Sequence, residues 1–396
     1  MNNQSFATRA VHAGERSTQS GYTPVATPIH PSVGFVYESM DDLDAIFAAT
    51  QPGYVYPRYG SPTVAAFEEA MANLENGEAA YAFASGMAAM HAAILAAGVR
   101  AGSTVVAALD VYGATYTLLN RLFTELGATV RFVNGADLTA VEAALAELQP
   151  AALVAEIISN PLLKVADVPA LTELAHRYGT QFLLDNTFAT PYLFTPLSHG
   201  VDFVIHSATK YIGGHGDVMA GVVVASAANR RKLYDLTLIV GGNLGPFEAW
   251  LALRGLKTLP LRVRQQFDNA ARLAAWLTGQ PQISRVNHPS LPAHPQHDLA
   301  CRLFEGRGFG GVLSFEIAGA DKAAVFRFME RLKLCLPATT LGDIYTLALH
   351  PATSSHRSLT PEARAQIGIS DGLVRLSAGI EAVEDIIADL AQALNG

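Results

Sequence analysis

Charge is scarce in this chain. Only 16% of its 396 residues are Asp, Glu, Lys or Arg, against 50% hydrophobic residues. Soluble domains usually carry about a quarter charged residues, so the missing polar surface implies that much of the exterior is covered by other subunits. The net charge is −8 and no basic block occurs, which argues against a nucleic-acid partner. Cysteine is almost absent. Cys301 and Cys335 are the only two, too few for a disulfide framework, and a reducing cytoplasm fits. The segment Met1–Arg9 has no apolar signal-like core, so a cytoplasmic location is expected. One apolar run, Ala79–Val99, is long enough to span a bilayer. Its Ser85, Gly86 and His91 and its many alanines instead predict a strand, a turn and a buried helix, and no membrane contact. Internal repeats and low-complexity tracts are also lacking.

What is present falls into three stretches. Residues 1–62 carry Pro24, Pro28, Pro31, Pro52, Pro57 and Pro62. That density predicts an extended arm with little regular structure, and an arm this long is expected to wrap a neighbouring subunit. Across 63–258 the pattern alternates. Helices are expected at Ala65–Asn76, Tyr116–Leu126, Leu138–Leu148 and Val168–Tyr178. Strands are expected at Val105–Leu109, Thr129–Val133, Ala152–Glu156, Gln181–Asp185, Phe203–Ile205 and Gly221–Ala225. This is the pattern of an α/β domain with a mostly parallel sheet covered on both faces. Residues 259–396 read as a smaller α+β domain with an antiparallel sheet. It has a long amphipathic helix at Leu261–Leu277, strands at Gly311–Ile317 and Leu373–Ser377, and a closing helix at Val383–Leu394.

The chemistry concentrates in Asp202-Phe-Val-Ile-His-Ser-Ala-Thr-Lys210-Tyr-Ile-Gly-Gly-His-Gly216. A lysine at the end of a buried strand is partly desolvated, which favours its neutral, nucleophilic form, the form Schiff-base chemistry needs. Taken alone, such a lysine is more often a solvated surface charge. The neighbouring strand ends change that balance. In an open parallel sheet ligands bind beyond the carboxyl ends of the strands, and three strands end in Glu156, Asp185 and Ser207. Asp185 follows Phe182-Leu-Leu184 and needs a cationic partner at that apolar mouth. The protonated ring nitrogen of pyridoxal phosphate is one; a helix cap or a buried ion pair is the plainer alternative. Ser85-Gly86-Met87 opens an alanine-rich helix, whose exposed amides suit a phosphate, with Ser207 and Thr209 nearby. Tyr112 could lie on a flat cofactor, or simply belong to the core. Arg375, inside an alternating strand, matches a carboxylate or a cross-strand acid. His288, His294 and His297 lie in a proline-rich loop without acidic or thiol partners at ligand spacing, and no metal is expected.

These segments carry a resemblance. The chain resembles the Cys/Met-metabolism (transsulfuration) family of fold-type I pyridoxal-phosphate enzymes, and within it methionine and cystathionine γ-lyases most of all. The matching motifs span the whole length. They run from Thr8-Arg-Ala-Val-His-Ala-Gly14 through Tyr56-Pro-Arg58, Tyr112-Gly-Ala-Thr115, Asp185-Asn-Thr187, Ser207-Ala-Thr-Lys210 and Thr340-Leu-Gly-Asp343 to Arg375-Leu-Ser-Ala-Gly379. The resemblance implies a seven-stranded-type sheet in the large domain and pyridoxal 5'-phosphate as cofactor. It implies that Lys210 bonds the cofactor, Asp185 pairs with its ring nitrogen, Tyr112 stacks on the ring and Asn160 approaches the phenolic oxygen. Ser85, Gly86, Met87, Thr187, Ser207 and Thr209 would line the rest of the cofactor site. Tyr56 and Arg58 would reach the phosphate from the neighbouring subunit, and Arg375 with Thr340 would hold the substrate. A homotetramer built as a dimer of dimers is implied as well.

Departures from the family pattern are Ser61 for a usual Asn, Ile157-Ile158 within the Glu156–Pro161 motif and Thr340 for a common Ser; Ala114 stands where methionine γ-lyases often carry Cys, and Tyr345 where cystathionine lyases often carry Glu. The expected reaction is γ-elimination on methionine, homocysteine or cystathionine, giving 2-oxobutanoate, ammonia and a thiol, with Lys210 and Tyr112 as catalytic residues. The alternative is γ-replacement, as in an O-acetyl- or O-succinylhomoserine sulfhydrylase or a cystathionine γ-synthase. A non-catalytic binding protein that kept the fold is a reading from another class.

Overall fold

The computed structural model describes residues 4–16, 22–357 and 359–395; the start of the Met1–Arg9 segment and part of the arm lie outside them. Seven strands form the larger sheet: β1 (Ala79–Phe83), β2 (Thr104–Ala108), β3 (Thr129–Val133), β4 (Ala152–Glu156), β5 (Gln181–Asp185), β6 (Phe203–Ser207) and β7 (Gly221–Ala225). Their order is β1-β7-β6-β5-β4-β2-β3. All neighbours from β3 to β6 are parallel, and β7 runs antiparallel to both β6 and β1. The expected mostly parallel sheet is therefore present.

Side chains alternate across each strand, and both faces are apolar. Val106, Leu153, Leu184 and Val204 pack with Phe67, Met71 and Leu171 on one side. Val105, Val154, Leu183 and Ile205 pack with Ala89, Met90 and Ala93 on the other. Burial on two faces is why these strands read as continuous Val/Leu/Ala runs. The 79–99 run divides as expected into β1 and the helix Gly86–Ala96. Among the described residues no helix is long and apolar enough to cross a membrane.

The second sheet has order β10-β11-β12-β9-β8, with β8 at Ile283–Asn287, β9 at Val312–Ile317, β10 at Leu336–Pro337, β11 at Leu347–Leu349 and β12 at Leu373–Ser377. It is antiparallel except for the two-residue β10/β11 edge pair, which is parallel. A 33-residue helix, Pro246–Thr278, connects the two sheets. Its first half packs Leu253, Leu256 and Val263 into the large-sheet core, and its second half packs Leu273 and Leu277 against Phe315 and Leu376.

Several sequence expectations need correction. The long helix starts at Pro246 rather than Leu261, because Pro260 sits inside it without ending it. Proline forfeits one hydrogen bond there, and burial of Leu256, Leu259 and Val263 on either side offsets the loss. The helix expected at Ala65–Asn76 begins at Pro62, a residue suited to a first turn. The helix expected at Tyr116–Leu126 is present but starts earlier, as an α-helix at Gly113–Thr117 that continues as a π-helix over Leu118–Phe123. Strand β6 extends to Ser207 rather than stopping at Ile205. The arm contains two short helices, Phe6–His12 and Met40–Phe47.

Candidate active site

Parallel pairing aligns the strand ends. Glu156 lies beside Asp185 in register, and Asp185 beside Ile205. Two carboxylates thus emerge together at the carboxyl edge. Asp185 accepts from the Thr187 amide at 2.9 Å, and burial pushes its carboxyl above the usual range. Glu156 accepts from the Tyr112 amide at 2.5 Å. Burial, and then the adjacent Asp185, push the Glu156 carboxyl well above the ordinary range. Neither forms an ion pair with Lys or Arg among the described residues.

After β6 the chain folds into a tight turn, with Lys210 N–H on the Ser207 carbonyl at 3.1 Å and Gly214 N–H on the Lys210 carbonyl at 2.8 Å. Lys210 Nζ donates to Thr340 Oγ1 at 3.0 Å. Its ammonium is held below the ordinary lysine value by burial first and by Arg375 second, while Asp343 opposes both. Arg375 stands in the middle of β12, 3% exposed. It donates through Nη2 to the Thr340 carbonyl at 2.9 Å and through Nη1 to Asn160 Oδ1 at 3.3 Å. Its Nε is buried without a partner, and burial lowers its pKa to about 10. Thr340 therefore links Lys210, through its hydroxyl, to Arg375, through its carbonyl.

The phosphate-type residues are also gathered. A Cβ on Gly86 would stand 2.8 Å from Ser207 Cβ, so the helix start and the end of β6 approach as only glycine permits. Ser85 caps that helix, accepting from Ala88 N at 3.1 Å, and Met87 occupies its first turn. Thr187 Oγ1 accepts from Ser207 N at 2.9 Å. Thr209 exchanges hydrogen bonds with the backbone of Ala220, at 3.0 and 3.2 Å. Tyr112 is 40% exposed at the N-cap of the helix Gly113–Thr117. Tyr56 and Arg58 stand apart: Arg58 donates to the Leu238 carbonyl at 3.3 Å and lies 5.0 Å from the Tyr56 ring centroid. No hydrogen bond among the described residues joins either of them to the Lys210 group.

Sequence reasoning missed His356. It is 2% exposed, hydrogen-bonds the Ser355 hydroxyl at 2.9 Å, and sits near Arg375 and Asn160, with burial driving its pKa down to about 4. A neutral imidazole there adds no charge beside the guanidinium. The available signal was Gly113, whose missing Cβ lets the Ser355 carbonyl approach; a Cβ would lie 2.6 Å from it. The histidine loop has its own structural bonds: His288 is buried and contacts the Gly310 carbonyl and Ser290 Oγ. Among the described residues no group of three or more His, Cys, Asp or Glu side chains is placed to hold a metal ion.

Residues 7–395 match the family described as Cys/Met metabolism PLP-dependent enzyme. The chain belongs to that family. A methionine γ-lyase of Pseudomonas putida is 42% identical over 98% of this chain and 97% of its own length. An O-succinylhomoserine sulfhydrylase of Pseudomonas aeruginosa is 42% identical over 98% and 95%. A solved structure from Campylobacter jejuni, containing N'-pyridoxyl-lysine-5'-monophosphate, matches with a TM-score of 0.93 at 29% identity, covering 99% of this chain and all of that one. The protein is a PLP-dependent enzyme.

The geometry fits the cofactor independently of those likenesses. Asp185 is a carboxyl at a strand mouth with no Lys or Arg ion-pair partner among the described residues, which leaves it for a pyridinium nitrogen. The Gly86–Ser207 approach leaves backbone amides at a helix start for a phosphate. Lys210 reaches the same edge as a destabilised ammonium.

Proposed function

We propose that this protein is a carbon–sulfur lyase that carries out γ-elimination on methionine, homocysteine or cystathionine, releasing 2-oxobutanoate, ammonia and a thiol. The observation that carries the reading is the bridge through Thr340, which joins Lys210 to a buried arginine that has no carboxylate partner among the described residues. A buried guanidinium needs an anion, and an amino-acid carboxylate on Arg375 would bring the substrate's Cα toward Lys210. The 42% identical methionine γ-lyase supports this substrate class.

Lys210, Asp185, Asn160 and Tyr112 would hold the cofactor ring, and Gly86, Met87, Ser207 and Thr209 its phosphate. When bound, the cofactor supplies an electron sink that makes the Cα–H bond of the amino acid acidic. Lys210 Nζ then removes the proton from Cα, aided by burial and Arg375, which both favour its neutral amine. A second proton leaves Cβ as the C–S bond breaks, and one water hydrolyses the resulting unsaturated amine to 2-oxobutanoate and ammonia. The Tyr112 hydroxyl, on the exposed side, protonates the departing γ-sulfur. Arg375 and Thr340 keep the substrate carboxylate fixed throughout.

Incubation with the three sulfur amino acids, reading oxoacid and thiol, tests the reaction; absence of oxoacid from all three refutes it. Lys210→Ala should lose the visible absorbance of the cofactor-loaded protein. A parent protein that stays colourless after loading would favour the non-catalytic reading.

The P. aeruginosa relative favours a second reading, γ-replacement with O-acetyl- or O-succinylhomoserine. Homocysteine formed from either ester and sulfide would identify it.

The same proposal includes a cytoplasmic homotetramer, a dimer of dimers, with Tyr56 and Arg58 reaching the partner's phosphate, and units bounded near residues 62 and 258. Exposed apolar arm residues support the association: Tyr22 (70%), Val25 (81%), Val36 (99%) and Met40 (75%). Light scattering at micromolar concentration tests it, and a monomer would refute it.

A further inference from the structure

A buried polar knot lies on the face of the large sheet opposite the cofactor site. Glu75, Asn186 and His206 are each 0% exposed. Glu75 Oε1 meets His206 Nε2 at 2.5 Å and accepts from Asn186 Nδ2 at 2.9 Å. Asn186 also donates to the Phe194 carbonyl at 2.9 Å.

The placement of these residues is specific. Asn186 directly follows Asp185, and His206 directly precedes Ser207. Strand alternation puts each pair on opposite faces. Leu184 and Val204 share the face of Phe67 and Met71, where Asn186 and His206 also point. Asp185 and Ser207 emerge on the other face, with Ser207 against Gly86. The Asn186 amide donates to the Ile205 carbonyl at 2.8 Å, so the two strand ends are already in register. Glu75 then fastens both from below.

Helix stability does not explain Glu75. It caps the carboxyl end of the helix Pro62–Leu74, where exposed carbonyls disfavour a negative charge. A buried carboxylate in that place is costly unless His206 compensates it.

We propose that Glu75, His206 and Asn186 form a clamp that sets the spacing between the Asp185 carboxylate and the Ser207–Lys210 turn, so that one cofactor molecule engages both ends together. These three are positioning residues: they touch neither cofactor nor substrate and act through the residues next to them in the chain. The inference rests on the assignment of Asp185 to the ring nitrogen.

The test uses the full-length apoprotein titrated with three ligands: pyridoxal 5'-phosphate, pyridoxal and inorganic phosphate. Glu75→Gln preserves shape and removes charge. It is expected to weaken pyridoxal 5'-phosphate binding by about tenfold or more, while pyridoxal and phosphate alone bind within about twofold of the parent. Binding of all three as in the parent would overturn the clamp. Equal weakening of all three would overturn it as well, because that is general damage rather than a change in spacing. Should Glu75→Gln not fold, Asn186→Ser removes the second donor to the same carboxylate and carries the same comparison, with a loss of about threefold expected. Asp185→Asn separates the two assignments. If that variant binds pyridoxal 5'-phosphate as the parent does, the role of Asp185 fails; if it binds weakly while Glu75→Gln is unaltered, the clamp alone fails.

Discussion

Replacing Arg375 with glutamine should damage catalysis in two separable ways. The guanidinium is buried, spends one bond on a carbonyl and one on an amide oxygen, and keeps Nε free. A hydrogen bond between ionised partners is worth about 1.5–3 kcal/mol, and removing one member of a buried pair costs roughly 3–5 kcal/mol. With each decade of rate worth about 1.4 kcal/mol, kcat/KM should fall roughly two hundred to five thousandfold. Arg375→Lys keeps the charge but not the fork, so it should lose about ten to a hundredfold.

The first assay compares the sulfur amino acid with its decarboxylated amine. The parent should prefer the acid strongly, and Arg375→Gln should abolish the preference. The second readout concerns Lys210, whose ammonium Arg375 helps to destabilise. Without that neighbour the Lys210 pKa rises, so less free amine exists at a given pH. The pH profile for cofactor recombination with the apoprotein should move to the alkaline side. A variant within about threefold of the parent, with an unchanged profile, would refute both parts of the reasoning.

Two further substitutions test the surroundings. Gly86→Ala should weaken cofactor binding by about tenfold and cost about 1–3 kcal/mol in stability, since the new methyl would meet Ser207 at 2.8 Å; parent-like cofactor titration and melting would contradict the tight approach. Glu68→Gln should stabilise the apoprotein above neutral pH by about 1–3 kcal/mol. Burial raises the Glu68 carboxyl to about 7, against the pull of Arg230. A raised folded-state pKa gives stability that is complete below the unfolded value near 4.5 and lost as pH rises through about 7. The variant's stability should therefore be flatter across that window, and a slope equal to the parent's would reject the assignment.

Much of the site was legible because its residues lie close in sequence to strand ends. Asp185 and Ser207 terminate apolar runs, and Lys210 follows within one turn. Buried parallel strands must read as short continuous apolar segments, so their ends are visible in one dimension. Local pattern failed where tertiary packing overrode it. The helix is expected only from Leu261, just past Pro260, but burial in two cores carries it through that proline. The Tyr116–Leu126 periodicity looked α-helical, and part of it winds as a π-helix.

The sequence by itself determined the kind of fold, the family and the position of Lys210 and Asp185 at strand ends, because each depends on residues within a strand and the turn that follows it. Only the tertiary structure decided how distant segments meet. It brought Thr340 between Lys210 and Arg375, set His356 beside the guanidinium, and placed Glu75 beneath two strand ends more than a hundred residues away. The reason is physical. The strength of a charge or hydrogen bond depends on distance and on burial, and for residues far apart in the chain both quantities exist only after the sheets have packed.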